Sequence, residues 1–121
     1  MQLNHLEVCD FRNVTLADID LSPGINLLVG ENGAGKTAIL EAVFLLARGR
    51  SFRTTHSKQL IRHNAPELIV RGEVECAQLV HRLARAKSRS GESMARIDGE
   101  AALKQSRFAE LMPLQTLVPG I

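Results

Sequence analysis

The sequence predicts an α/β fold, in which a mixed sheet surrounds one central helix and an antiparallel meander of strands follows. An apolar run at residues 25–29 indicates a buried strand and leads into a glycine-rich loop. An apolar stretch from Ala38 to Ala47, interrupted only by Glu41, is long enough for a helix. Segments of alternating polarity lie on both sides of this strand–loop–helix unit, as half-buried strands require.

Two strands are predicted before this unit. From Leu3 to Phe11, apolar residues lie among polar ones, which indicates a half-exposed strand. From Val14 to Leu21 the apolar residues again alternate with polar ones, two of which are acidic. The sequence Ser22-Pro23-Gly24 then predicts a turn into the buried strand.

The glycine-rich loop at residues 30–37 fits the pattern G-x-x-x-x-G-K-[ST] of a P-loop. Backbone N–H groups surround a triphosphate only where side chains leave room, which the glycines allow. The free N–H groups at the start of the next helix also attract phosphate. We expect Lys36 to reach the β- and γ-phosphates and Thr37 to place its hydroxyl on Mg²⁺. The predicted nucleotide-binding residues are Gly30, Glu31, Asn32, Gly33, Ala34, Gly35, Lys36 and Thr37. A glycine-rich turn without a ligand is disfavoured, because a strand precedes the loop and a helix follows it.

Residues 48–63 form the most basic segment, and no Asp or Glu occurs between Glu41 and Glu67. Part of the segment, residues 57–62, predicts a short helical turn with Ser57 as its N-cap. We interpret the segment as a surface that faces the phosphates of nucleic acid or nucleotide, and a solvated basic loop is the open alternative. The predicted DNA-contacting residues are Arg48, Arg50, Arg53, Lys58 and Arg62.

An antiparallel meander is predicted after the break at residues 64–66, with strands at residues 68–76, 79–86 and 94–97. It carries a second basic patch without acids, which we interpret as a solvated face of the sheet. The patch consists of Arg82, Arg85, Lys87 and Arg89. A helix at residues 105–112 and a strand at residues 114–118 complete the predicted elements.

The composition is that of one small domain. The chain has 121 residues, of which 45% are hydrophobic, and it lacks Trp and Tyr, so the core is expected to be aliphatic. The net charge of +2 is too small to indicate nucleic acid by itself. No apolar run reaches the roughly 18 residues of a membrane span, and the N-terminus does not resemble a signal peptide. We expect a cytoplasmic protein in which Cys9 and Cys76 are free thiols.

An acidic site for hydrolysis is not evident in the sequence. Nucleotide hydrolysis typically uses an Asp at the end of an apolar strand to hold the Mg²⁺ shell. No such run follows the P-loop, and Asp98 comes after only a short, partly polar stretch. Glu31 and Glu41 lie in the loop and its helix, where neither is an obvious base. We therefore predict no catalytic residue, and we expect this chain alone to bind nucleotide without hydrolysing it.

Further distinctive segments flank the P-loop along nearly the whole chain. They are Asp10-Phe11-Arg12-Asn13, Leu21-Ser22-Pro23-Gly24-Ile25-Asn26, Leu40-Glu41-Ala42, Gly49-Arg50-Ser51-Phe52-Arg53, Arg96-Ile97-Asp98-Gly99 and Leu111-Met112-Pro113-Leu114-Gln115. Together with the P-loop, these segments resemble the start of proteins of the RecF family. The P-loop alone does not separate this family from other ATPases with ABC-type heads, but the flanking segments do. The family usually continues Pro-Glu-Gly where this chain has Pro119-Gly120-Ile121.

The resemblance implies a P-loop NTPase of the ABC/SMC-head type. Residues 1–121 would form its nucleotide-binding lobe, truncated before the Walker B and signature motifs. The implied cofactors are ATP and Mg²⁺, and Arg12 and Asn13 would lie near the nucleotide. The implied function is recombinational DNA repair, linked to replication and the SOS response. It involves an ATP-dependent homodimer on double-stranded DNA or a strand junction, which assists RecA loading at gaps with RecO and RecR.

Two other functions stay open at this point. A P-loop phosphotransferase for a small molecule would need a lid and an acceptor-site acid, and neither is found. Two strands before the P-loop strand also count against a kinase. A non-enzymatic interaction module with a vestigial P-loop is disfavoured by the intact Lys36 and Thr37. Nucleotide titration distinguishes the interaction module from the ATPase lobe. DNA titration with and without ATP distinguishes the phosphotransferase from the ATPase lobe.

Overall fold

The computed structural model describes residues 2–21, 34–102 and 104–113. The strands are β1 (Gln2–Phe11), β2 (Val14–Asp20), β3 (Glu67–Cys76), β4 (Leu79–Ser88), β5 (Ser93–Ile97) and β6 (Glu100–Ala101). The α-helices are α1 (Ala34–Arg48) and α2 (Gln105–Leu111), and a 3-10 turn covers Ser57–Gln59. The predicted N-terminal strands, central helix, meander and C-terminal helix are confirmed, whereas the helical turn is shorter than the predicted residues 57–62. The predicted strands at residues 25–29 and 114–118 lie outside the described residues.

The described strands form one sheet in the order β2-β1-β3-β4-β5-β6, and every pairing in it is antiparallel. Antiparallel strands bury one face and leave the other to solvent, which explains their alternating polarity. The sequence predicts a mixed sheet, which would need at least one strand that pairs in parallel. Its candidate, residues 25–29, falls outside the part of the chain that the structure describes.

The core lies between α1 and one face of this sheet. Leu6 and Val8 of β1 and Val70 of β3 are fully buried, as are Val43 and Leu46 of α1. The helix approaches the sheet most closely at Gly72. A Cβ added there would lie 2.5 Å from Cδ2 of Leu46, so only glycine allows this spacing.

Side chains from two other elements bind the C-terminal end of α1. Gly49 follows the helix with φ +80°, a conformation that favours glycine. Arg85 of β4 donates to the carbonyl oxygen of Leu46 at 2.8 Å. Gln105 of α2 donates to the carbonyl oxygen of Ala47 at 2.6 Å. The last carbonyls of α1, which have no partner within the helix, are thereby satisfied by distant parts of the chain. Among the described helices, none has the length and apolar composition that crossing a bilayer requires.

Candidate functional site

A cavity of about 930 Å³ opens beside the first turns of α1, and we call it the basic cavity. Thr37, the predicted Mg²⁺ ligand, is exposed and lines it. The described residues that line it include five cationic side chains and no Asp or Glu. The five are Arg12, Arg53, Lys58, Arg62 and Arg89. A helix start surrounded by cations suits a polyanion such as a nucleotide triphosphate.

The orientation of Arg12 is fixed by Glu41, which lies in the middle of α1 and is fully buried. The Arg12 guanidinium donates to both carboxylate oxygens, from Nε at 2.7 Å and from Nη2 at 2.8 Å. A bidentate pair of this kind fixes both the position and the plane of the guanidinium. The side chain of Arg12 is 24% exposed, so it remains accessible from the cavity while paired.

Ser51 completes the set of contacts around Glu41. Its hydroxyl donates to Oε2 of Glu41, and its oxygen accepts the backbone N–H of Arg53 at 2.8 Å. The Arg53 guanidinium lies 3.9 Å from Oε1 of Glu41. One buried carboxylate therefore holds the β1–β2 turn and the loop after α1 in place, and both of these segments line the cavity. We call Arg12, Glu41, Ser51 and Arg53 the Glu41 cluster.

The backbone of the β1–β2 turn is strained at Arg12, where φ is +54°. For a residue other than glycine this conformation costs about 1–2 kcal/mol. It persists because the turn is held from both sides. The N–H of Arg12 donates to the carbonyl oxygen of Leu60 at 2.6 Å, and the N–H of Arg62 donates to that of Asp10 at 2.8 Å. The Arg62 guanidinium also donates to the Asp10 carboxylate at 2.8 Å, which directs this cation along the cavity wall.

The charges of the Glu41 cluster are stabilised mutually. Burial by itself raises the pKa of Glu41, but the hydrogen bonds from Arg12 and Ser51 and the charges of Arg12 and Arg53 outweigh burial. The pKa of Glu41 therefore lies below its ordinary value, and the residue is a carboxylate at neutral pH. The same hydrogen bond raises the pKa of Arg12 above its ordinary value, against a smaller opposing effect of burial.

The structure brings together only some of the predicted site residues. Thr37, Arg12 and Asn13 line the basic cavity together with Arg53, Lys58 and Arg62, so part of the predicted DNA-contacting set lies beside the predicted nucleotide site. Arg48 and Arg50 are exposed at the C-terminal end of α1. Gly30, Glu31, Asn32 and Gly33 lie outside the described residues, and so do the side chains of Ala34, Gly35 and Lys36.

Sequence reasoning missed the roles of Glu41 and Ser51. Glu41 is the single acid in an otherwise apolar helical stretch, and a buried charge requires partners, so the signal was present. Arg89 was assigned to a solvated patch, but it lines the basic cavity and donates to the carbonyl oxygens of Ala65 and Arg62. No cluster of three or more His, Cys, Asp or Glu side chains that could hold a metal occurs in the described residues. Thr37, the predicted Mg²⁺ ligand, lines the basic cavity.

Comparison with known proteins finds close sequence relatives. The chain is 41% identical to the DNA replication and repair protein RecF of Pectobacterium atrosepticum over 119 residues, which cover 98% of this chain and 33% of that protein. It is 40% identical to the RecF protein of Sodalis glossinidius over 122 residues, with 98% and 34% covered. The chain thus spans about a third of the length of these relatives.

Comparison with solved structures also finds similarity to RecF. A structure of the recombination mediator protein RecF with ATP superposes with a TM-score of 0.78 and 27% identity, covering 88% of this chain and 30% of the other. A structure of an SMC ATPase superposes with a TM-score of 0.76 and 21% identity, covering 97% and 81%, and shows the shared fold. The predicted ABC/SMC-head fold is confirmed. The sequence model of the RecF/RecN/SMC N terminal domain matches residues 2–120, and the chain therefore belongs to that family.

Proposed function

We propose that this chain is the nucleotide-binding lobe of a RecF-like DNA-repair protein, and that it binds ATP with Mg²⁺ at the start of α1. The observation that carries the proposal is the basic cavity beside Thr37, where five cations and no acid line the described walls. A triphosphate would neutralise cations that otherwise repel one another. The solved RecF–ATP structure, which superposes on 88% of this chain, supports the same ligand.

Each group in the cavity has a distinct role in this proposal. The P-loop backbone and Lys36 would hold the phosphates, and the Thr37 hydroxyl would be a ligand of Mg²⁺, which neutralises phosphate charge when bound. Arg12 would contact the nucleotide in an orientation that Glu41 fixes in advance. Because a preorganised guanidinium loses little side-chain entropy on binding, the pair favours affinity. Asn13, next to Arg12, would add an exposed polar contact.

The proposed cellular role rests on the relatives. Those with 40% identity or more are named DNA replication and repair proteins, and the superposed RecF structure is described as part of a RecFOR pathway. We infer that the protein acts on DNA in the cytoplasm, dimerises with ATP, and assists RecA loading together with RecO and RecR. Residues 1–121 would supply the nucleotide-binding lobe, and Arg48, Arg50, Arg53, Lys58 and Arg62 would supply cations for the DNA or nucleotide phosphates.

Calorimetric titration with ATP and Mg²⁺ tests the site. Replacing Lys36 with Ala removes a positive charge from the phosphates, so we expect ATP affinity to fall at least tenfold, or about 1.4 kcal/mol. Lys104→Ala is the matched control, since Lys104 is exposed and does not line the basic cavity. Equal ATP affinity for the Lys36 variant and the unmodified chain would contradict the assignment.

A further inference from the structure

A second concave surface, of about 370 Å³, lies between β4 and β5 beside the C-terminal end of α1. We call it the β4–β5 groove. It shares no lining residue with the basic cavity. Its charged lining residues are Arg85, Lys87 and Arg96, all of them cations. Two of these, Arg85 and Lys87, lie on the face of β4 that carries the buried Leu83, because alternate residues of a strand share a face. The interpretation of this patch as a solvated face is therefore wrong for both residues.

Arg85 is held rigidly in the groove. Its Nε donates to the carbonyl oxygen of Leu46 at 2.8 Å, and its Nη2 donates to the side-chain oxygen of Gln105 at 2.6 Å. Its guanidinium lies 3.8 Å from the centre of the Phe108 ring. Burial lowers the pKa of Arg85 to about 10, so it is still charged at neutral pH. The charge is fixed in place by neutral groups, and a fixed charge is ready to bind an anion.

Lys87 adds a second positive charge to the same groove. Its closest described side-chain partner is the hydroxyl of Ser93, 3.5 Å from Nζ. Burial and the charge of Arg85 both lower the pKa of Lys87, which shows that the two cations repel each other. Within the described part of the chain, no carboxylate oxygen lies within 4.0 Å of either cation, although the two other partly buried arginines there, Arg12 and Arg62, each have an acidic partner. An anion between Arg85 and Lys87 would relieve this repulsion.

The surroundings of the groove indicate which anion would fit. Its walls carry small side chains, which allow a ligand backbone to approach closely. Gly49 lies on its rim, and the neighbouring Arg48 and Arg50 are exposed. A small free anion would use only the inner pair of cations. A chain of phosphates would contact the inner pair and then continue past the exposed arginines, as DNA does along a basic surface.

We propose that the β4–β5 groove binds a phosphate of the DNA backbone, at the opposite end of α1 from the nucleotide. The inference rests on the proposed role in DNA binding and adds a location to it. Arg85 and Lys87 would make the contact, and Arg48 and Arg50 would extend it along the strand. Because the contact is to phosphate alone, it would stabilise all DNA sequences equally.

The test is the salt dependence of duplex binding, measured by fluorescence anisotropy on the full chain with ATP present. Loss of one phosphate contact reduces the slope of log Kd against log salt by about 0.9. For Lys87→Gln we expect that reduction, and a Kd raised up to about eightfold at 0.1 M salt, for two duplexes of unrelated sequence. Lys87→Arg should keep the slope of the unmodified chain. Lys104→Gln, an exposed lysine outside the groove, should leave both quantities unchanged.

The possible outcomes separate this inference from the proposed function. If the unmodified chain binds DNA and Lys87→Gln leaves the slope unchanged, the groove is not a DNA contact, although the proposed function stands. If the unmodified chain binds no DNA, the inference about the groove is wrong, whereas the proposed ATP site is judged separately by the calorimetric titration. If Lys87→Gln weakened ATP binding by the same factor as DNA binding, the groove would be assigned to nucleotide binding and the inference would be overturned. A thermal melt of Lys87→Gln controls for folding, and it should be unchanged or higher because the repulsion with Arg85 is removed.

Discussion

Glu41 is a fully buried carboxylate whose partners come from two other segments of the chain, the β1–β2 turn and the loop after α1. Desolvating a carboxylate costs several kcal/mol, and only good geometry with several donors offsets that cost. Here Arg12 and Ser51 supply direct hydrogen bonds, and Arg53 supplies a further charge. The Glu41 cluster therefore fixes the positions of two segments that line the basic cavity, the β1–β2 turn and the loop after α1.

Replacing Glu41 with Gln removes the negative charge and leaves two arginines near a buried amide. Because breaking a buried ion pair is costly, we expect the free energy of unfolding to fall by about 3 kcal/mol. Urea denaturation measures this change. Glu110→Gln is the matched control, since Glu110 pairs with Arg107 at the surface, where such a pair contributes less than about 1 kcal/mol. Similar urea midpoints for the two variants would show that the Glu41 cluster contributes little to stability.

The sheet is built from two parts that the sequence predicts well, the β1–β2 hairpin and the β3–β4–β5 meander. Their alternation is regular, and turns separate the strands. The pairing of β1 with β3 was not predicted, because local periodicity carries no information about partners distant in sequence. The face of Arg85 and Lys87 was predictable in principle, since both follow Leu83 at intervals of two residues. The Arg12–Glu41 pair was not, because it depends on how α1 crosses the sheet.

Hairpin β1–β2 carries a pH-sensitive contact on its solvent side. His5 lies 2.6 Å from the Asp20 carboxylate and 2.5 Å from that of Asp18. The hydrogen bond to Asp20 raises the pKa of His5, burial opposes the rise, and the charges of Asp18 and Asp20 add to it. A raised pKa means that the folded protein binds the proton more tightly than the unfolded chain does.

The stability from this contact is complete below the ordinary histidine pKa of about 6.5 and is lost as pH rises through the higher folded value. We therefore expect the melting temperature of the unmodified chain to decline more steeply between about pH 6 and pH 8 than that of His5→Gln. Differential scanning calorimetry across that range measures both. His56→Gln, which removes an exposed histidine from the loop after Arg53, is the control. Parallel pH profiles for the unmodified chain and His5→Gln would refute the expectation.

On the scale of the whole molecule, cations gather at both ends of α1, while the described acids that contact cavity-lining residues are paired. Glu41 is bound to Arg12, and Asp10 accepts a hydrogen bond from Arg62. Asp98 lies in the turn after β5, where it accepts a hydrogen bond from the N–H of Arg82 and contacts His81. None of these acids lines the basic cavity. The structure thus supplies groups that bind phosphate, and the described residues offer no free carboxylate beside it to orient a water molecule.

We therefore expect the chain on its own to bind ATP without sustained hydrolysis. Phosphoryl transfer needs an oriented nucleophile and a complete metal shell in addition to charge neutralisation. Phosphate release from the purified chain measures this, with Lys36→Ala as the control for contaminating ATPases. Turnover that depends on Lys36 would show that a carboxylate within residues 1–121, such as Glu31, serves as the base.

The position of β1 between β2 and β3 has a consequence for how the chain reaches its native state. Paired residues of β1 and β3 differ in number by 60, for Cys9 and Ile69, up to 73, for Gln2 and Glu75. The hairpin and the meander need only short loops, so they form quickly, whereas joining them closes a loop that contains all of α1. The pairing of β1 with β3 should therefore limit the folding rate. The edges of β1 and β3 stay unpaired until the two strands meet, and during synthesis they are the surfaces most at risk of pairing with another chain.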